Sequence, residues 1–332
     1  MVKNIRSRLA QLRTDYNQLR GSPFSYFYCP ILFKDEDVPL CEGHIINRAF
    51  PNSARNWVVQ RQDVDNFYGS MFESDFATVQ YRGEQILGNA ITDKELSKKF
   101  DPKILLDDEP VDFYFARGNV PKQFSRLEFD NDGKVVQLAI KMRPEEFMEK
   151  LGQKWEIAVE KDIRISAVVS LIKSAHLTLF SLLGYNYALS TAGYYVGKDI
   201  LGKFFQQNVD KAKSDVLDNA YPFFREFAAM VRPIQSSGVD VQGTITDNLM
   251  LICKEKTGLP WAFVVFIRIS QSLHAVLIPI FEHPDAVAKF LGFLNDEKES
   301  ITVNYARFDQ DHWSVDNEAR TLVWPKTGFL YP

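Results

Sequence analysis

Apolar positions recur every three to four residues across the first twenty. Ile5, Leu9, Leu12, Tyr16 and Leu19 share one face, which predicts an amphipathic helix over residues 2–20. From 24 to 62 the pattern shortens into brief alternating runs broken by Pro, Asn and Ser, as strands and turns require. Within it, 38–46 and 56–61 are strand candidates, 47–55 is a loop, and 63–76 is a helix with Asp63 as its N-cap. Alternation returns over 77–83, 111–118 and 125–140, and Asn131-Asp132-Gly133 predicts a hairpin turn inside the last run. A helix is expected to begin at 143–150.

Helical spacing dominates from about 161 to 206. Ile165, Val168, Val169, Ile172, His176, Leu179, Phe180 and Leu183 form a broad apolar face. Residues 174–197 contain no charged side chain and are long enough to span a bilayer. Ser, Thr, Asn and His interrupt the stretch and Gly184 breaks it, so the reading is a buried helical hairpin, with no membrane involved. His176 reads as a satisfied core histidine. The remainder, 211–332, predicts strands at 249–255, 261–270, 274–282 and 320–325 and a helix at 284–294, with Cys253 in the core. The chain is therefore α+β. Its expected domains are 1–155, β-rich, and 156–332, a helical hairpin followed by an α+β part with a targeting or sensing role.

Composition narrows this only a little. The 332 residues are 45% hydrophobic, enough for a large core and two domains. The net charge of −4 excludes a dedicated nucleic-acid coat but not a local basic site. Three separated cysteines, Cys29, Cys41 and Cys253, do not make a disulfide framework, and the basic first helix lacks the apolar centre of a signal peptide. The expected compartment is cytoplasmic. The sequence holds no internal repeat, phosphate-binding glycine loop, Ser-centred nucleophile elbow or CxxC pair.

The stretch 40-LCEGHIINRAFPNSARNWVVQRQDVDNFYGS-70 carries the chemistry. Its order is strand, loop, strand, helix, which brings the end of the first strand, with His44, towards the first turns of the helix, with Asn66. Histidine titrates near neutrality and can deprotonate water. A hard cation such as Mg²⁺ accepts an amide oxygen, keeps several waters and stabilises a phosphorane. Asn56 opens the second strand, where its amide can pin the loop. From Gly43 to Gln62 there is no acid, while Arg48, Arg55 and Arg61 add three positive charges suited to phosphate.

His44, Asn56 and Asn66, with GHII before the loop and NFYG in the helix, resemble the HNH (ββα-metal) endonucleases in their HNN variant. The resemblance covers about residues 25–75. It implies a ββα-metal unit within the β-rich N-terminal domain, His44 as general base, Asn56 as the loop-orienting residue and Asn66 as the metal ligand, with Mg²⁺ (or Mn²⁺) as cofactor. It implies DNA as substrate, with RNA admitted by the same chemistry. Two departures stand out. Gly43 occupies the place of the usual metal-binding acid or histidine before the base. Glu42 is one residue off and alternates to the other strand face. The related nucleases with an Asp-Arg-Gly-His motif also have Gly there and bind metal through one Asn and water. The positions of the family's structural zinc ligands fall on Cys29, Leu32, Gln62 and Asp65, so no structural zinc is expected. Glu73, seven residues after Asn66, is expected to make an exposed salt bridge rather than serve as an auxiliary ligand.

The competing readings are a catalytically inactive HNH-like nucleic-acid-binding or scaffold protein, and a protein whose chemistry lies in 151–332. A homodimer, or a partner protein held by the C-terminal part, fits either nuclease-like reading.

Overall fold

The structure is a computed structural model. It describes residues 2–47, 57–77, 103–106, 109–111, 113–115, 125–131, 134–151, 155–158, 164–234, 250–253, 262–269, 272–280, 300–309 and 312–323. The fold is mixed helix and strand, of the α+β class. It divides into two units: residues 1–77 together with 164–332, and residues 78–163. The expected boundary at 155/156 lies near the end of the second unit. The first unit is discontinuous, because the N-terminal segment packs with the helices after 164.

The first unit is organised around one apolar helix. Helix α1 (Val2–Arg20) is followed by the antiparallel pair β1 (Leu40–His44) and β2 (Trp57–Arg61) and by α2 (Gln62–Tyr68). The second unit contains β3 (Lys103–Leu106), β4 (Glu109–Val111), β5 (Phe113–Phe115), β6 (Ser125–Asn131), β7 (Lys134–Ile140), α3 (Pro144–Leu151) and β8 (Trp155–Ala158), in sheets of order β4-β3-β8 and β5-β7-β6. Asn131 pairs with Lys134, so β6 and β7 form an antiparallel pair at the expected hairpin.

Helix α4 (Arg164–Ala188) returns to the first unit. One side of it packs on α1, β2 and the segment after α2, the other on a six-stranded sheet. That sheet has the order β14-β13-β10-β11-β12-β9, built from β9 (Val231–Pro233), β10 (Met250–Cys253), β11 (Ala262–Ile269), β12 (Ser272–Pro279), β13 (Ser300–Asp309) and β14 (His312–Val323). An apolar helix with protein on both sides buries nearly its whole circumference. An apolar 18-residue window of it, within Ile165–Ala188, is 89% buried, as in the core helix of a globular protein.

Gly184 breaks α4 with φ 56°, a conformation that favours glycine. The break leaves orphan backbone groups on either side, and α1 satisfies two of them. Arg8 donates to the Ser181 carbonyl at 3.2 Å, and Asp15 accepts the Tyr185 amide at 2.6 Å. After one further turn, Ser190 caps α5 (Thr191–Tyr194), which widens into a π segment (Tyr195–Gly202) and ends as α6 (Lys203–Asn208); α7 (Lys213–Phe224) follows. The expected second helix to about Gln206 is this element.

The sequence expectations at 78–83, 284–294 and the side chain of Cys253 lie outside the described residues, as do His283 and the Asp132-Gly133 turn itself. His312 opens β14. His176 is fully buried, bonded to the Tyr187 hydroxyl at 2.9 Å and the Pro30 carbonyl at 3.1 Å, which is the core role expected of it.

Candidate functional site

The hairpin register decides what faces what. Cys41 pairs with Gln60 and Gly43 with Val58; Glu42 pairs with Val59 and His44 with Trp57. Side chains alternate along a strand, so Cys41, Gly43, Val58 and Gln60 share one face and Glu42, His44, Val59 and Trp57 the other. The first face meets α2: Gln60 Nε2 donates to Asp65 Oδ1 at 3.4 Å, and the Cys41 thiol reaches Asp65 Oδ2 at 3.8 Å. Burial, then Asp65, pushes the Cys41 thiol up to about 12, so it stays protonated.

Asp65 also meets a buried cation from α4. Lys173 is 0% exposed, with Nζ 3.2 Å from Asp65 Oδ1 and 2.5 Å from Glu73 Oε1. Burial works against the ammonium, but Glu73 and then Asp65 outweigh it and hold its pKa above the ordinary value. Burial raises Glu73, and Lys173 offsets only part of that. The next residue on α4, Ser174, donates to the Ile45 carbonyl at 2.7 Å. Adjacent residues of one helix therefore fix both the end of β1, just past His44, and α2, just before Asn66.

Glu73 is thus a correction to the sequence reading, being buried rather than exposed. Seven residues of pure α-helix would have put it on the face of Asn66. The helix instead widens into a π turn over Gly69–Glu73, and the extra residue per turn shifts Glu73 to the face of Asp65. Asp63 is corrected too. The helix starts at Gln62, its N-cap is Arg61 without a side-chain cap, and the Asp63 carboxylate is bonded to Arg61.

Arg61 is engaged by acids of the protein itself. It is 7% exposed, makes a fork with Asp63 at 3.1 and 2.7 Å, and is ion-paired with Glu36. Its pKa is raised, first by the Asp63 hydrogen bonds. The local +3 charge read from the sequence is lowered here by two acids, one of them twenty-five positions away. Arg48, Arg55 and Asn56 lie outside the described residues.

His44 and Asn66 are placed differently from these committed groups. His44 is the last residue of β1, half-buried and opposite Trp57, on the hairpin face other than the one that meets α2, so the register does not itself bring it to Asn66. Asn66 is exposed on α2, which follows β2 without a break. Among the described residues, neither side chain makes a hydrogen bond or ion pair. No group of three or more His, Cys, Asp or Glu side chains among the described residues is arranged to hold a metal. An exposed, uncommitted Asn amide is nonetheless a hard oxygen donor of the kind Mg²⁺ accepts alongside water and phosphate, so the donor chemistry fits such an ion.

Sequence reasoning missed Lys173, Ser174 and the inward role of Asp65 and Gln60. One signal was available: Lys173 is the sole Asp, Glu, Lys or Arg between Arg164 and Lys198. A lone lysine on a helix apolar all round needs a buried acid.

The chain matches no family model, and no curated protein or solved structure matches it.

Proposed function

We propose that β1, β2 and α2 form a ββα-metal (HNH-like) unit that hydrolyses DNA phosphodiester bonds in a metal-dependent way. One observation carries this reading. Around the hairpin Arg61 is taken up by Glu36 and Asp63, and Lys173 by Asp65 and Glu73, while His44 and Asn66 are left uncommitted among the described residues.

In this mechanism His44 takes a proton from the attacking water at its imidazole. Ser174, through the Ile45 carbonyl, fixes the backbone just past His44. Asn66 would hold Mg²⁺ or Mn²⁺, which supplies Lewis-acid stabilisation of the phosphorane and the leaving oxygen. Asp65, the neighbour of Asn66 on α2, faces inwards and is taken up by Lys173, Gln60 and Cys41, whereas Asn66 faces solvent.

A second reading rests on Gly43. A β-carbon there would collide with the Gln60 amide, so a side chain where the related nucleases place their first ligand would have to displace Gln60. On this reading the unit binds nucleic acid without cutting it. Nicking of supercoiled plasmid by wild type, His44→Ala and Asn66→Ala, with Mg²⁺ or Mn²⁺ and with EDTA, separates the two. Metal-dependent nicking reduced about 10²–10⁴-fold by His44→Ala supports hydrolysis. A wild type that never cuts, or a His44→Ala protein that cuts as well, overturns it.

A further inference from the structure

Helix α1 presents a basic stripe to solvent. Arg6, Arg13 and Arg20 are all exposed and spaced seven residues apart. Seven residues are nearly two helical turns, so the three arginines emerge along one side of the helix at a rise of about 10.5 Å each. No acid stands among the exposed residues of α1. Its one acid, Asp15, is half-buried and accepts the Tyr185 amide. Arg13 donates to the Ser25 carbonyl at 2.7 Å and lies over the Phe24 ring; Arg6 and Arg20 make no hydrogen bond or ion pair among the described residues. Asp35 enters the same network, with its oxygens taken by the Ser25 and Tyr26 amides.

The charge continues past the end of the helix. Burial raises the Tyr28 hydroxyl, and the cations of Arg20 and Lys198 both act against it. Lys198 is itself solvent-facing and sits 4.5 Å over the ring of the exposed Tyr194. The helix that carries this surface packs on the hairpin. The opposite face of α1 packs on α4 and β2, and Arg8 and Gln11 share a cavity of about 560 Å³ with Val58 and Val59, the residues after Trp57.

We infer that the solvent face of α1 is a docking surface for the phosphate backbone of duplex DNA, leading to the His44 end of the hairpin. The choice of partner rests on the nuclease-like reading above; the charge complementarity stands on the stripe itself. A membrane fits the stripe less well. Leu12 is buried and Ile5, Leu9 and Tyr16 are packed on the core, so of the apolar face that would enter a bilayer Leu19 alone is exposed.

The test is fluorescence anisotropy of a short labelled duplex, in EDTA so that nothing is cut, over a range of salt. Each phosphate contact contributes about 0.9 to the slope of log affinity against log salt. Arg6→Gln/Arg20→Gln should lower that slope by about 2 without changing the melting temperature, and Arg6→Lys/Arg20→Lys should keep it. The two single Gln variants, each expected to remove about 1, serve if the double variant is unstable. An unchanged slope and affinity in the Gln variants overturns the inference. So does a wild type that ignores DNA but binds phosphatidylserine vesicles through the same arginines. A protein that nicks plasmid with an unmoved slope retires this surface alone; one that never nicks but loses slope retires the hydrolase alone.

Discussion

Gly43 lies beneath the side chain of Gln60, so close that a β-carbon on Gly43 would run into the amide. The two residues sit diagonally on the face of the hairpin that meets α2, and Gln60 continues across to Asp65. The glycine before His44 therefore has a packing cause, independent of whether the unit binds metal. Gly43→Ala should destabilise the protein by about 1–3 kcal/mol through overpacking. In a Gln60→Ala background the same change should cost much less. A double-mutant cycle by urea denaturation measures this coupling; additive effects would show that the contact carries no energy.

Lys173 is the second such relationship. Replacing it by Met keeps the stem and removes the charge, leaving Glu73 and Asp65 without their cation. The expected loss is about 3–5 kcal/mol, the usual result of breaking one side of a buried ion pair. Lys173→Met/Glu73→Gln should be more stable than Lys173→Met alone, although it adds a second change, because it removes the stranded carboxylate. Thermal or urea unfolding of the pair decides it; a double variant less stable than the single one would sink the argument.

These pairs mark where the sequence stopped being legible. Periodicity located α1, the β1–β2–α2 order, the β6–β7 hairpin and the break at Gly184, because each is a local pattern repeated over several residues. The partners of Arg61 and Lys173 were not legible. Glu36 is twenty-five positions from Arg61, and Glu73 is one hundred from Lys173, so only the packing of α4 against the hairpin brings them together. The face of Glu73 was misread for a different reason: a π turn resets the helical phase, and nothing in residues 69–73 announces one. His44 and Asn66 were visible as unusual residues in an ordered context. What the sequence could not reveal was that Arg61 and Lys173 are both taken up by acids of the protein itself.

The buried His176 predicts an acid-labile fold. Burial pushes its pKa down to about 4, against an ordinary value near 6.5. Between those values the unfolded chain takes up a proton that the folded chain refuses. Stability from this residue is therefore complete above about pH 6.5 and is lost as pH falls towards 4, by roughly 3 kcal/mol in all. His274, also pushed down to about 4 by burial, acts in the same direction. Urea midpoints measured between about pH 7 and 4.5 should fall steeply for wild type and less steeply for His176→Gln. Parallel curves would mean that His176 is not held neutral.

Arg61 should behave as a structural residue. Its fork with Asp63 and its pair with Glu36 tie the end of β2 to the start of α2 and to the loop before β1. Arg61→Ala should lower stability by about 1–3 kcal/mol, as loss of hydrogen bonds to charged groups does. It should leave the salt dependence of DNA affinity unchanged, because this cation neutralises the protein's own acids. A slope reduced by about one contact would return Arg61 to the phosphate-binding set.

Asp65 and Asn66 are neighbours with opposite expected phenotypes. Asp65 receives Lys173, Gln60 and Cys41, whereas Asn66 is exposed and bonded to none of the described residues through its side chain. Asp65→Ala removes the acceptor of three donors and should cost about 1–3 kcal/mol. Asn66→Ala, a surface change, should stay within about 0.5 kcal/mol of wild type. Activity should divide the other way. Asn66→Ala should raise the Mg²⁺ or Mn²⁺ concentration needed for plasmid nicking while its unfolding curve overlays that of wild type. Asp65→Ala should lose activity only in proportion to the folded protein lost, a proportion that metal titration at low temperature exposes. If Asn66→Ala instead melts early and nicks normally at saturating metal, Asn66 is a structural residue of α2, and the metal ligand lies elsewhere in the unit.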